Sequence, residues 1–180
     1  MPFLAHAPNK YAAAGPYPEI KVVSSNPYYA ELLMDDYAGF ASEFTAITQY
    51  LYHHYIIKNK KIAELLEGIA ITEMHHMELL AETIVLLGGE PRIRGAFSTW
   101  GHYWNGCYIK YGTSVYDQLQ ADIEAEKQAI ANYRYRIMQI DDPYIQKLLE
   151  RIIQDEELHL VLFQEALREL PCLNRQSIVR

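Results

Sequence analysis

Residues 65–82 read LLEGIAITEMHHMELLAE and residues 148–165 read LLERIIQDEELHLVLFQE, two segments in one frame at an offset of 83 positions (148 − 65). Each contains a Glu-x-x-His: Glu73 to His76 in the first, Glu156 to His159 in the second. Thirty positions ahead of each (73 − 43, 156 − 126) stands another matched frame, Glu-x-x-Ala-Ile-x-[Gln/Asn]-Tyr, opening at Glu43 and at Glu126. Two copies are too few for a solenoid. They describe a duplicated helical hairpin, each half offering two carboxylates and one imidazole.

Residues three apart on an α-helix lie on one face, so Glu73 and His76 point the same way, as do Glu156 and His159. Apolar neighbours mark that face as inward: Ile47 and Tyr50 follow Glu43, and Ile130 and Tyr133 follow Glu126. Four carboxylates gathered in an apolar core carry a prohibitive desolvation cost without a counter-charge. Two divalent cations supply it. A lone Glu-x-x-His is commonplace on a solvated helix; the matched repetition of all six residues gives the pattern its weight.

The rest of the composition bounds the class. The chain of 180 residues is long enough for one domain with a sizeable core, and at 50% hydrophobic and 22% charged it is globular. A net charge of −7 offers no basic footprint for nucleic acid. Cys107 and Cys172 stand 65 positions apart (172 − 107), which excludes a disulfide framework and any Cys-x-x-Cys iron module. The stretch MPFLAHAPNKYAAAGPYP has no signal-peptide pattern, and no segment is long and apolar enough to span a membrane. A cytoplasmic setting is expected.

Along the chain, residues 1–26 read as an extended arm lying on the bundle or on a neighbouring subunit, with Pro2, Pro8, Pro16 and Pro18 among Ala and Gly. Asn26-Pro27 is a helix start, and a first helix is expected from Pro27 to about Lys58. Asn59 caps a second helix that stops at Gly88-Gly89, Thr113 or Ser114 caps a third to about Gln139, and Asp142-Pro143 opens a fourth that ends before Pro171. Residues 91–114 lack helical periodicity, and so long a connection needs a reason. The expected fold is all-α: a four-helix bundle over residues 27–170, with one long crossover between the second and third helices and a tail at 171–180.

The runs EFTAITQYLYHH, TEMHHMELLAETIVLLGG and DEELH resemble those of bacterioferritins and the rubrerythrin group, and the whole is identified as a member of the ferritin-like superfamily. The segment YPEIKV…NPYYAELL and the aromatic crossover look more like manganese catalases and their spore-coat relatives. That superfamily joins its second and third helices by such a crossover and builds its centre from one Glu on each of two helices and Glu-x-x-His on each of the others. The resemblance implies that Glu73 and Glu156 bridge two metals, that Glu43 and His76 complete one site, and that Glu126 and His159 complete the other. It implies two Fe or two Mn ions per chain, since carboxylates and imidazoles suit both. It also implies that Asp155 orients His76 from behind, whereas its repeat partner Thr72 is a weaker acceptor, so the metal at His159 is expected to be held more loosely.

Other residues invite a role. Met74 stands where bacterioferritins place a haem-binding Met, although such a Met more often serves packing, and haem is not expected. His54 falls on the face of Glu43 and is either a residue behind the ligands or a polar group near the bundle end. Tyr50 and Tyr133 either hydrogen-bond a ligand or pack as core aromatics. The resemblance implies a dinuclear non-haem, di-iron oxidoreductase acting on Fe(II) with dioxygen or peroxide, with an external electron donor for a peroxidase reaction. Alternatives are a manganese catalase, or a structural or storage subunit without turnover. The aromatics of the arm and crossover (Tyr11, Tyr17, Tyr28, Tyr29, Trp100, Tyr103, Trp104, Tyr108, Tyr111) predict a homo-oligomer, because such residues are enriched at interface centres.

Overall fold

Each helix begins where a side chain can take up its unpaired N–H groups. In the computed structural model, which describes residues 10–96 and 103–171, five α-helices follow in order: α1 (Pro27–Ala38), α2 (Glu43–Ile56), α3 (Lys60–Leu86), α4 (Val115–Gln139) and α5 (Pro143–Arg168). Asn26, Ser42, Asn59, Ser114 and Asp142 accept from N–H groups of the first turns, and Pro27 and Pro143 follow two of them directly. α2 packs against α3 and α4 against α5, which are the two hairpins of the duplication. No helix among the described residues is long and apolar enough to cross a membrane.

The first helix departs from expectation. Instead of running unbroken from Pro27 to about Lys58, it stops at Ala38 and restarts at Glu43. Gly39 turns the chain against the preceding turn so closely that a Cβ there would lie 2.6 Å from the Asp35 carbonyl oxygen. The Ser42 and Thr45 hydroxyls then both donate to the Gly39 carbonyl, at 2.8 and 3.0 Å, and lock the break. Its consequence is positional: Glu43 becomes the first residue of α2, where the positive end of the helix favours a carboxylate.

The crossover is not structureless, since it carries a short 3-10 turn at Gly106–Tyr108 and a bridge between Arg94 and Tyr103. The described part of the arm, from Lys10 onward, lies along its own bundle. Val23 N–H donates to Asp142 at 2.7 Å, and Asn26 N–H donates to the Leu87 carbonyl at 3.0 Å. Trp100, Cys172 and the tail beyond Pro171 lie outside the described residues.

Two apolar cores fill the bundle. One gathers Leu33, Leu80, Ile84, Leu149 and Ile152; the other gathers Leu66, Ile69, Leu119, Phe163 and the Tyr50 ring. On α3 the first core takes residues from Leu79 onward and the second takes residues up to Ala70; on α5 the corresponding limits are Ile153 and Phe163. The segments left between them carry Glu73, His76, Glu156 and His159. A polar layer thus sits between two hydrophobic ones.

Candidate metal centre

The six residues of the duplicated frame meet in that layer, all at most 4% exposed. Two overlapping clusters form: Glu43, Glu73, His76 and Glu156, and then Glu73, Glu126, Glu156 and His159, each with candidate ligand atoms within 4.8 Å of one another. Glu73 and Glu156 belong to both. Glu73 Oε2 lies 2.8 Å from His76 Nδ1 while its Oε1 lies 3.0 Å from His159 Nδ1. Glu156 does the same, Oε1 at 3.2 Å from His76 Nδ1 and Oε2 at 3.4 Å from His159 Nδ1. Glu43 and Glu126 each face one histidine only, at 3.7 and 3.8 Å.

Tyrosines cross-brace the outer carboxylates. Tyr50 on α2 donates to Glu126 on α4 at 2.7 Å, and Tyr133 on α4 donates to Glu43 on α2. A cavity of about 230 Å³ opens between α2 and α4 and reaches Glu43, Glu73, Glu126 and Glu156, with Tyr108 and Lys110 of the crossover along its wall.

The outer nitrogens of the two imidazoles point to the opposite side, where the arm runs. His76 Nε2 lies 2.9 Å from Asp155 Oδ2, and His159 Nε2 donates to the Tyr11 carbonyl at 2.7 Å. These contacts make Nε2 the N–H side of each ring, so that Nδ1, once it sheds its proton, turns a lone pair into the cluster as a metal needs. Asp155 is itself held by the Ala13 N–H at 2.6 Å, the Tyr17 hydroxyl at 2.5 Å and the Arg151 guanidinium at 2.7 Å.

The electrostatics are those of a deeply buried cluster of carboxylates and imidazoles. Burial first, then the charges of Glu73 and Glu156, push Glu43 and Glu126 well above the usual carboxylate range. His159 rises to about 10, because Glu73 and Glu156 outweigh the burial that opposes its charge. His76 is raised too: burial opposes its charge, and Asp155, Glu156, Glu43 and Glu73 outweigh it. Asp155 falls to about 2 despite its burial, through His76, Arg151 and Tyr17.

A dinuclear metal centre fits these residues. Glu73 Oε1, Glu156 Oε1 and His159 Nδ1 are buried at ion-pair distance from their neighbours but make no hydrogen bond of good geometry among the described residues, and all three face the cluster. Buried polar atoms are rarely left so. Four carboxylates, two neutral imidazoles and two divalent ions would also sum to zero charge.

The remaining candidates lie elsewhere. His54 faces the Ala63 carbonyl, with Nδ1 at 2.8 Å, near the α2–α3 connection. Met74 is 43% exposed on the outside of α3. Thr72 does not meet His159 itself; its hydroxyl donates at 3.5 Å to the same Tyr11 carbonyl that His159 uses. Sequence reasoning missed His53, fully buried 2.9 Å from Asp122 and from the Lys110 carbonyl, a pairing that ties the crossover to α2 and α4. It also missed Arg151 and the arm as neighbours of the centre. A signal was present where the two repeats differ, at Gly68 against Arg151 and Thr72 against Asp155.

Paired clusters sharing two carboxylates inside a helical bundle define the class: a ferritin-like dinuclear carboxylate protein. The chain belongs to the ferritin-like domain family, which its residues 38–173 match. It is 28% identical over 170 residues to a probable manganese catalase of Clostridium acetobutylicum, covering 84% of this chain and 76% of that one. It is 32% identical over 125 residues to a bacterioferritin of Streptomyces coelicolor, covering 66% of this chain and 69% of the relative. The crystal structure of KatB, a manganese catalase from Anabaena PCC7120, superposes with a TM-score of 0.79 at 25% identity, covering 87% of this chain and 78% of that chain.

Proposed function

We propose that the protein is a dinuclear manganese enzyme that disproportionates hydrogen peroxide to dioxygen and water. The observation that carries this choice is coverage. The likeness to the Clostridium acetobutylicum manganese catalase takes in more of the chain than the ferritin-like domain itself, whereas the likeness to the bacterioferritin takes in less. In this reading Glu73 and Glu156 would be shared by the two ions, Glu43 with His76 would hold one and Glu126 with His159 the other, and Asp155 would orient His76. Bound there, a pair of redox-active ions would supply the two-electron capacity that lets one peroxide be oxidised to dioxygen and the next reduced to two waters, with no external donor. The protein's own part is to keep Tyr50 and Tyr133 donating to the outer carboxylates, to admit a small molecule through the cavity, and to close the histidine side.

The bacterioferritin likeness favours a second reading, a di-iron centre that oxidises Fe(II) with dioxygen or peroxide. One pair of assays on metal-free protein separates the two. Dioxygen release from peroxide after Mn(II) loading supports the catalase. Dioxygen consumption on adding Fe(II), with no release from the Mn(II) form, replaces it with the ferroxidase. Inactivity in both, with metal raising only the melting temperature, sinks both in favour of a structural role. Elemental analysis of protein from its native source identifies the resident metal.

A further inference from the structure

We infer that residues 11–17 form a strap that sets both imidazoles of the centre through two separable anchors, one for each metal. This rests on the dinuclear reading above and adds a positioning role to a segment outside the bundle. The first anchor is at His76. Tyr17 donates to Asp155 Oδ2 at 2.5 Å, and Ala13 N–H donates to Asp155 Oδ1 at 2.6 Å. Arg151 reaches back to the strap, donating to the Ala13 carbonyl at 2.9 Å and stacking on the Tyr17 ring at 4.2 Å. Asp155 is thereby fixed with Oδ2 turned to His76. The second anchor is at His159, whose Nε2–H is received by the Tyr11 carbonyl of the strap itself.

The duplication shows that the strap is built into the bundle. Where the second repeat has Arg151 the first has Gly68, and where the second has Asp155 the first has Thr72. Both departures face the strap. Arg151 fills its position and grips the strap backbone. Gly68 leaves a hollow that the Tyr11 ring occupies, so closely that any Cβ at Gly68 would overlap the ring. Seating that ring carries the Tyr11 carbonyl to His159. The acceptor missing at Thr72 is thus replaced from outside the repeat. Because a carboxylate backs one imidazole and a neutral carbonyl the other, the two ions are held unequally.

The test uses full-length protein and Co(II), which accepts nitrogen and oxygen ligands and shifts nearby proton resonances. Wild type is expected to bind two ions and to show one shifted, exchangeable Nε2–H resonance from each histidine. Fewer than two ions in wild type would overturn the dinuclear reading, and the strap with it. Tyr17→Phe is expected to move one resonance and weaken one ion by about 10–100-fold, the usual effect of losing such a partner. Gly68→Ala is expected to move the other resonance and weaken the other ion. Tyr11→Ala, which empties the hollow instead of blocking it, should match Gly68→Ala and covers the case in which that variant does not fold. Folded variants with unmoved resonances and wild-type affinities overturn the proposal, as do variants that weaken both ions equally.

Discussion

The Tyr50 hydroxyl donates to Glu126 Oε1 at 2.7 Å, so the helix that presents one outer carboxylate also holds the other helix's carboxylate in place. Both groups are buried, and the Tyr50 ring packs edge-on against Phe163 at 5.2 Å. Tyr50→Phe keeps that packing and removes only the hydroxyl. Leaving a buried carboxylate short of a donor costs about 1–3 kcal/mol. The melting temperature of the metal-free variant should therefore fall by about 2–12 °C. An unchanged melting temperature would mean that Glu126 finds another donor at no cost.

Glu73 and Glu156 each turn one oxygen to each histidine, so losing either should affect both metals. Glu73→Ala and Glu156→Ala are expected to retain at most one ion per chain, while Glu43→Ala and Glu126→Ala keep the ion on their intact side. Metal analysis after gel filtration decides it. Two ions per chain in Glu73→Ala or Glu156→Ala would sink the bridging assignment.

In the proposed centre metal and protons would compete for the same imidazoles, which gives the pH dependence its sign. In the metal-free protein His159 sits at about 10 against an ordinary 6.5, the carboxylates outweighing burial. Its contribution to stability is fully present below about pH 6.5 and is lost as pH rises towards 10. Asp155, at about 2 against an ordinary 3.8, contributes above about pH 4 and loses that contribution as pH falls towards 2. On these two groups the metal-free protein is most stable between about pH 4 and 6.5. Metal requires the neutral ring, so metal binding strengthens as the histidines shed their protons. The rise in melting temperature on adding Mn(II) should be larger near pH 8.5 than near pH 5.5 by calorimetry; equal rises would show that no imidazole proton is displaced.

Assembly is the fourth expectation. Along the outside of α3, Ile71, Met74 and Val85 are 48%, 43% and 57% exposed, and Tyr28 at the start of α1 and Tyr103 on the crossover are 56% and 64% exposed. Apolar surface of this kind is what subunit contacts cover. Light scattering at micromolar concentration should find at least a dimer, and a monomer would refute it.

The helices were readable in the sequence because their caps are chemical: Asn26, Asn59, Ser114 and Asp142 all stand where their side chains take up the first N–H groups. The grouping of the six acidic and imidazole residues was readable because duplication printed it twice. The break at Gly39 was not, since a single Gly inside an apolar pattern is usually tolerated, and its close approach to the Asp35 carbonyl and its hold by the Ser42 and Thr45 hydroxyls are seen only in three dimensions. The strap's role was hidden for a different reason. Its acceptor at His159 is a backbone carbonyl, which any residue type supplies, and so Tyr11 left no mark of its own.

The strap has a consequence for how the protein is made. Its contacts pair residues 142, 138 and 148 positions apart, from Ala13 and Tyr17 to Asp155 and from Tyr11 to His159. On the ribosome, residues 11–17 emerge well before their partners at Asp155 and His159. The first hairpin, with Glu43, Glu73 and His76, leaves the exit tunnel with its acidic face open and half of its ligands unmade. Any ion captured then sits in an unfinished, solvent-filled site and is free to exchange. Selective metal loading would therefore have to wait until Asp155 and His159 have emerged and residues 11–17 have closed over them.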